Sequence, residues 1–183
     1  MGKPGSIRGY TLVELLVVLS VLTLAQAWVV PALADVMHSV QVNAGAQALS
    51  DSLRRARSEA VMRNSRVVVC KSASGRACES DARWEQGWII FHDPNNNAVL
   101  DLDESVLHRE QALSDSLSLN ANKPVSAYVS YTPYGRTKLT SGAFQAGTFT
   151  VCSRHGKVRQ ARQIIINSAG RPRVATVKNA DCG

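Results

Sequence analysis

From Leu12 the chain runs for about 25 largely apolar residues, long enough to span a bilayer as a helix. Glu14 stands near the start of that run, and a carboxylate placed deep in a bilayer costs about 2.5 kcal/mol or more. A residue so placed needs a partner. The residues ahead of Tyr10 carry Lys3 and Arg8 and no acid, a basic flank that stays on the cytoplasmic side and puts the N-terminus inside. A secretory signal would have an apolar core of about 7–15 residues closed by a small-residue cleavage site. Here the core is longer, and no Ala-x-Ala boundary interrupts Leu12 to Leu24. Hydropathy alone therefore describes an N-terminal membrane anchor.

The order of residues is more specific than their hydropathy. A charged leader, Gly9, the aromatic Tyr10, then Thr11-Leu12-Val13-Glu14 and a long apolar helix resemble the type III signal of type IV prepilins and pseudopilins. The resemblance implies that a prepilin peptidase removes residues 1–9, cutting after Gly9 on the cytoplasmic side, and N-methylates Tyr10. Phe is the usual residue there, so Tyr10 is a mild departure. It also implies a partner for Glu14, the α-amino group of a neighbouring subunit, because an unpaired carboxylate in a dry filament core would be penalised. Residues 10–34 would serve first as a transmembrane anchor and then as filament core.

At 183 residues, 45% hydrophobic and 19% charged, the chain leaves room for one globular domain once that segment is set aside. The formal charge of +7 is unevenly placed: residues 152–183 hold Arg154, Lys157, Arg159, Arg162, Arg171, Arg173 and Lys178 against Asp181 alone. A near-neutral body thus carries a strongly basic C-terminal segment. Four cysteines in a chain sent across a membrane favour disulfides, and three pairings are open. The short separation of Cys70 and Cys78 suits a hairpin-like staple, which favours Cys70–Cys78 with Cys152–Cys182 over longer crossings. The second bond would hold the arginine-bearing segment against the body. His38, His92, His108 and His155 show no ligand spacing with the cysteines, so zinc is the weaker reading.

From Tyr10 to about Ser65 one long helix is allowed, roughly 80 Å at 1.5 Å per residue, with a kink expected at Pro31. Residues 35–65 form its amphipathic half. There Ala46, Leu49, Leu53, Ala56 and Ala60 recur at three and four, while Arg54, Arg55, Arg57 and Glu59 occupy a face that reads as solvated. Residues 66–183 turn to strand signals at 67–70, 87–91, 126–131, 147–152 and 163–166, separated by Gly, Pro and Asn clusters. Pro133-Tyr134-Gly135-Arg136 reads as a turn, and so does Gly170-Arg171-Pro172-Arg173. The fold class is α+β: a long N-terminal helix packed on an antiparallel β-rich domain.

Trp84-Glu85-Gln86-Gly87-Trp88-Ile89-Ile90-Phe91 followed by Asp93-Pro94-Asn95-Asn96-Asn97 resembles the GspH/FimT branch of minor pilins and pseudopilins. With the leader, the resemblance covers most of the chain and implies a type IV pilin-like fold. Asp93, Asn95, Asn97, Asp101 and Glu104 occupy positions 1, 3, 5, 9 and 12 of a calcium-loop pattern, but Ala98 replaces the turn glycine and flanking helices are absent. A polar hairpin turn explains them without a metal. No Gly-x-Ser-x-Gly, phosphate loop or paired acids in an apolar setting occurs, so neither an enzyme nor a cofactor is expected.

Arginine's planar fork suits phosphate. Gly170-Arg171-Pro172-Arg173 resembles the Gly-Arg-x-Arg element by which competence-associated FimT-type minor pilins bind DNA. That implicates Arg171 and Arg173, with Lys157, Arg159 and Lys178 as supporting charge. Few aromatics in the tail make double-stranded DNA the expected partner. The resemblance implies a minor pilin of a type IV pilus, partnered by other minor and major pilins. It would lie in the inner membrane with a periplasmic domain before assembly, and on the cell surface after it. A type II secretion pseudopilin shares the leader, helix and domain without needing the basic tail.

Overall fold

The helix that opens the computed structural model is set at both ends by local chemistry. The described residues are 11–154, 160–178 and 182. Helix α1 spans Leu12–Arg63. At its start, the Thr11 amide donates to Glu14 Oε2 at 3.1 Å and the Glu14 amide donates to Thr11 Oγ1 at 3.3 Å, a capping box. At its end Asn64 takes φ 49°, the Ser65 amide donates to the Ala60 carbonyl at 3.2 Å, and the Asn64 amide to Val61 at 3.3 Å. That pattern is a Schellman stop, with Asn where glycine is commonest.

The chain divides into two units between Met37 and His38. In the first, Leu12, Val13, Leu15, Leu16, Val17, Val18, Leu19, Val21, Leu22 and Leu24 are all exposed, apolar on every side of the helix. Among the described residues no helix is long and apolar enough to cross a membrane. The side chains of residues 27–32, 34 and 35 lie outside the described ones, and the kink expected at Pro31 with them.

In the second unit Val42, Ala46, Leu49, Leu53, Ala56 and Ala60 are buried at the spacing the sequence predicts. They meet two four-stranded antiparallel sheets. The strands are β1 Val67–Lys71, β2 Trp88–His92, β3 Val106–Glu110, β4 Leu117–Ala121, β5 Tyr128–Tyr131, β6 Gly147–Ser153, β7 Gln160–Ile166 and β8 Pro172–Lys178. One sheet has the order β3-β2-β1-β5, the other β4-β6-β7-β8. Val67, Val69, Trp88, Ile90, Leu119, Phe149, Val151, Ile164 and Ile166 join the helix stripe in the main core. On the opposite face of the first sheet Val68, Cys70, Ile89 and Phe91 pack with Ala98 and, partly buried, Cys78, Leu100 and Val106. Burial on both faces is why Val67-Val68-Val69 and Trp88–Phe91 read as unbroken apolar runs.

Both disulfides of the favoured set are present, Cys70–Cys78 and Cys152–Cys182. Three strands depart from the sequence reading: β3 and β4 are largely polar or only partly buried, and β8 begins inside the expected Gly170–Arg173 turn. The turn lies three residues earlier, at 167–170, closed by the Gly170 amide on the Asn167 carbonyl at 2.8 Å.

Candidate functional site

The basic segment separates into engaged and unengaged arginines. Arg154 donates from Nη2 to Glu85 Oε1 at 2.9 Å and from Nε to the Leu117 carbonyl at 2.8 Å. Glu85 is buried and also accepts from Arg83 at 3.2 Å, so this network ties the end of β6 to the Trp84–Gln86 turn. Arg162 donates to Asn43 Oδ1 of the helix at 2.8 Å and to Thr176 Oγ1 of β8 at 2.6 Å. Both hold the fold together and are not free tail charge.

Arg171 and Arg173 differ. They are exposed, and neither side chain makes a hydrogen bond or ion pair among the described residues. Their positions are fixed by the backbone: β8 pairs with β7 from Gln160↔Lys178 to Ile166↔Pro172, with Arg173 opposite Ile165. Gly170, at φ 73°, lies so near the Gly135 carbonyl that a Cβ there would stand 2.2 Å from its oxygen. Only glycine fits such a corner, since a side chain meets both backbone strain and a carbonyl. Arg57 Nε donates to the same carbonyl at 2.9 Å. Arg171 and Pro172 thereby line an open groove of about 340 Å³ with Arg54 and Arg57.

The helix face read as solvated is therefore partly engaged. The spacing shows that Arg54 and Arg57 lie on one side of α1; it carries no sign of the corner they face. Beneath it Tyr131 is buried, which pushes its phenol well above the usual range, while Arg57 pulls it back somewhat. Lys157, Arg159, Gly9 and Tyr10 lie outside the described residues; Lys178 ends β8 with its side chain outside them.

The loop after β2 spends its acids internally. Asp93, fully buried, accepts the amides of Asn97 and Ala98 at 3.1 Å, and Asp101 Oδ2 accepts Asn95 and Asn97 Nδ2 at 2.8 Å. Glu104 Oε2 accepts the Asp101 amide at 3.2 Å. Burial, then the charges of Asp93, Asp101 and Asp103, raise the Glu104 carboxyl above its ordinary value. Ala98 takes φ 58°, the conformation for which a calcium loop uses glycine. Among the described residues no group of three or more His, Cys, Asp or Glu is placed to hold a metal.

The model of the family described as type II transport protein GspH matches residues 45–170. Among solved structures the chain is similar to the type IV minor pilin FimU of Pseudomonas aeruginosa (strain PAO1), at 20% identity and TM-score 0.55, covering 75% of this chain and 90% of that one. A second crystal form of FimU gives 21% identity and TM-score 0.52, covering 73% and 91%. The minor pseudopilin EpsH of the Vibrio cholerae type 2 secretion system is 9% identical, with TM-score 0.48, covering 77% and 99%. No curated protein sequence matches the chain. The likeness to FimU concerns the fold: a long helix on antiparallel sheets.

Proposed function

The chain belongs to the GspH family, and on that premise we propose that it is a minor pilin of a type IV pilus that also captures double-stranded DNA. Residues 1–9 are the leader, and residues 10–34, whose helix exposes apolar side chains on every side from Leu12 to Leu24, anchor the prepilin in the inner membrane and then pack among other pilins. It is a structural and binding protein, not a catalyst. Glu14, which caps its own helix through Thr11, exchanges that partner for a neighbour's α-amino group on assembly. The assignment of a second role rests on one observation: Arg171 and Arg173 are exposed and unengaged in a segment whose other described arginines are committed to the fold.

Contacts of this kind are to phosphate, so binding is independent of sequence and weakens with salt through counterion release. In full-length protein held in uncharged detergent, Arg171→Gln with Arg173→Gln abolishes the gel shift of a duplex at physiological salt while leaving the circular dichroism spectrum unchanged. At low salt, where residual binding can be followed, the slope of log K against log salt falls by roughly 2, about 0.9 per lost phosphate contact. Unchanged affinity at low salt overturns the site. A wild-type protein that shifts no duplex favours the secretion pseudopilin, which needs no such corner.

A further inference from the structure

From Ser116 to Ala180 the chain contains no Asp or Glu. Within that stretch lie the two large aromatics that are exposed among the described residues, Tyr134 at 85% and Phe144 at 72%. Each leaves an aromatic face in water that burial would stabilise, and no packing among the described residues accounts for either.

They stand on one rigid segment. The Thr132 amide donates to the Arg136 carbonyl and the Gly135 amide to the Thr132 carbonyl, both at 2.8 Å, which lifts Tyr134 to the tip of a tight turn. Lys138 then pairs antiparallel with Phe144. Gln145, fully buried, locks the return by accepting the Ser130 amide at 3.0 Å and donating to the Pro124 and Tyr128 carbonyls at 2.7 and 2.8 Å.

Between the aromatics lie cations. Arg66, Arg136 and Lys138 line an open groove of about 550 Å³ with Thr132, Pro133 and Tyr134. Arg136 and Lys138 also line a neighbouring groove of about 200 Å³ with Phe144 and Ser168. The Arg136 and Lys138 side chains are exposed and have no partner among the described residues. Thr132, 6% exposed, lines the larger groove, and its hydroxyl is buried without a partner. Of the acids on neighbouring elements, Asp51 is committed to Arg54, Glu59 to Arg63, and Asp93, Asp101 and Glu104 bond within their own loop, where Asp103 is exposed. Through Gly135, whose carbonyl touches both Arg57 and Gly170, this strip abuts the Arg171 corner.

An aromatic, two cations and a second aromatic in succession match an unpaired strand, whose phosphates follow the cations while its bases stack on the rings. Duplex bases are stacked on one another and do not reach such rings. Resting on the reading of Arg171 and Arg173 as a DNA contact, we propose that the Thr132–Phe144 segment is a second, single-strand-selective DNA site, with bases stacked on Tyr134 and Phe144 and phosphates held by Arg136 and Lys138, while Arg66, which donates to Ser130 Oγ at 3.0 Å, supports the groove wall.

The test is fluorescence anisotropy on the full-length protein in uncharged detergent, with a labelled oligothymidylate and a labelled duplex of equal length. Tyr134→Ala with Phe144→Ala weakens single-strand binding by about tenfold or more, as base stacking on aromatics is worth about 1–3 kcal/mol per base, and leaves duplex affinity within about twofold. Tyr134→Phe keeps single-strand affinity, because the ring is retained. Arg171→Gln with Arg173→Gln weakens both probes. Single-strand affinity that survives loss of both rings, or duplex affinity that falls in parallel, overturns the aromatic site and leaves the arginine corner standing. A wild-type protein that binds neither probe overturns both readings.

Discussion

Arg154 and Arg173 are nineteen positions apart in one basic segment, and they do opposite things. Arg154 is bound to a buried carboxylate and a strand carbonyl, so its charge is used inside the domain. Arg173 faces solvent from an edge strand, so its charge is available to a partner. Arg162 belongs with the first and Arg171 with the second. Charge counted along a sequence measures how many cations a segment has; which of them can meet phosphate is decided by the buried acceptors brought to them in the fold.

The sharpest way to break this contrast is to release the segment that bears the unengaged pair. If the Cys152–Cys182 bond held the arginine corner in place, removing it would scatter Arg171 and Arg173. The pairing of β8 with β7 at seven positions does that holding, while Cys182 lies beyond the strand. Cys152→Ser with Cys182→Ser is expected to cost about 3.6 kcal/mol of stability in a urea titration, the loop-closure value for a 30-residue separation. Duplex affinity of the folded protein stays within about twofold. A loss of binding as large as that from Arg171→Gln with Arg173→Gln would mean the corner depends on the disulfide after all.

Arg154→Ala comes next. Removing it leaves Glu85, 8% exposed, with Arg83 as its remaining ion-pair partner and an orphaned Leu117 carbonyl. Breaking a buried pair costs about 3–5 kcal/mol, and the partly exposed guanidinium lowers that to about 2.5 kcal/mol here. Urea unfolding should show it, with duplex affinity nearly unchanged. The mirror result, normal stability with lost affinity, would place Arg154 among the binding residues and erase the distinction.

Much of the scaffold behind this contrast is legible in the sequence. The stripe from Ala46 to Ala60 and the apolar runs of β1 and β2 follow from periodicity and burial. The Thr11–Glu14 capping box is legible too, from Thr-x-x-Glu ahead of an apolar run, although the carboxylate's place in a membrane segment draws attention to distant partners instead. β8 is not legible: Gly170-Arg171-Pro172-Arg173 carries the local signal of a turn, while the strand is made by a ladder to residues whose positions the sequence does not give. The same holds for Arg57 beside Gly135 and for the strip shared by Tyr134 and Phe144: the sequence signals the turn at Tyr134 but not the bridge that brings Phe144 to its neighbour Lys138. Long-range pairing decides each case, and a window of sequence holds no record of it.

Gly170 is where the two classes of residue depend on a single atom, and Gly170→Ala tests that dependence with the smallest possible change. The added methyl meets a left-handed backbone conformation and the Gly135 carbonyl together. The first costs about 1–2 kcal/mol alone, so a loss near 2 kcal/mol in urea unfolding is expected. Unlike Arg154→Ala, this change also displaces Arg171 from the groove it shares with Arg54 and Arg57, and duplex affinity falls by roughly threefold, about 0.7 kcal/mol. Stability lost without affinity would show that the arginines bind as flexible charges on a tether. Both lost together would show that the corner's backbone geometry is part of the binding site.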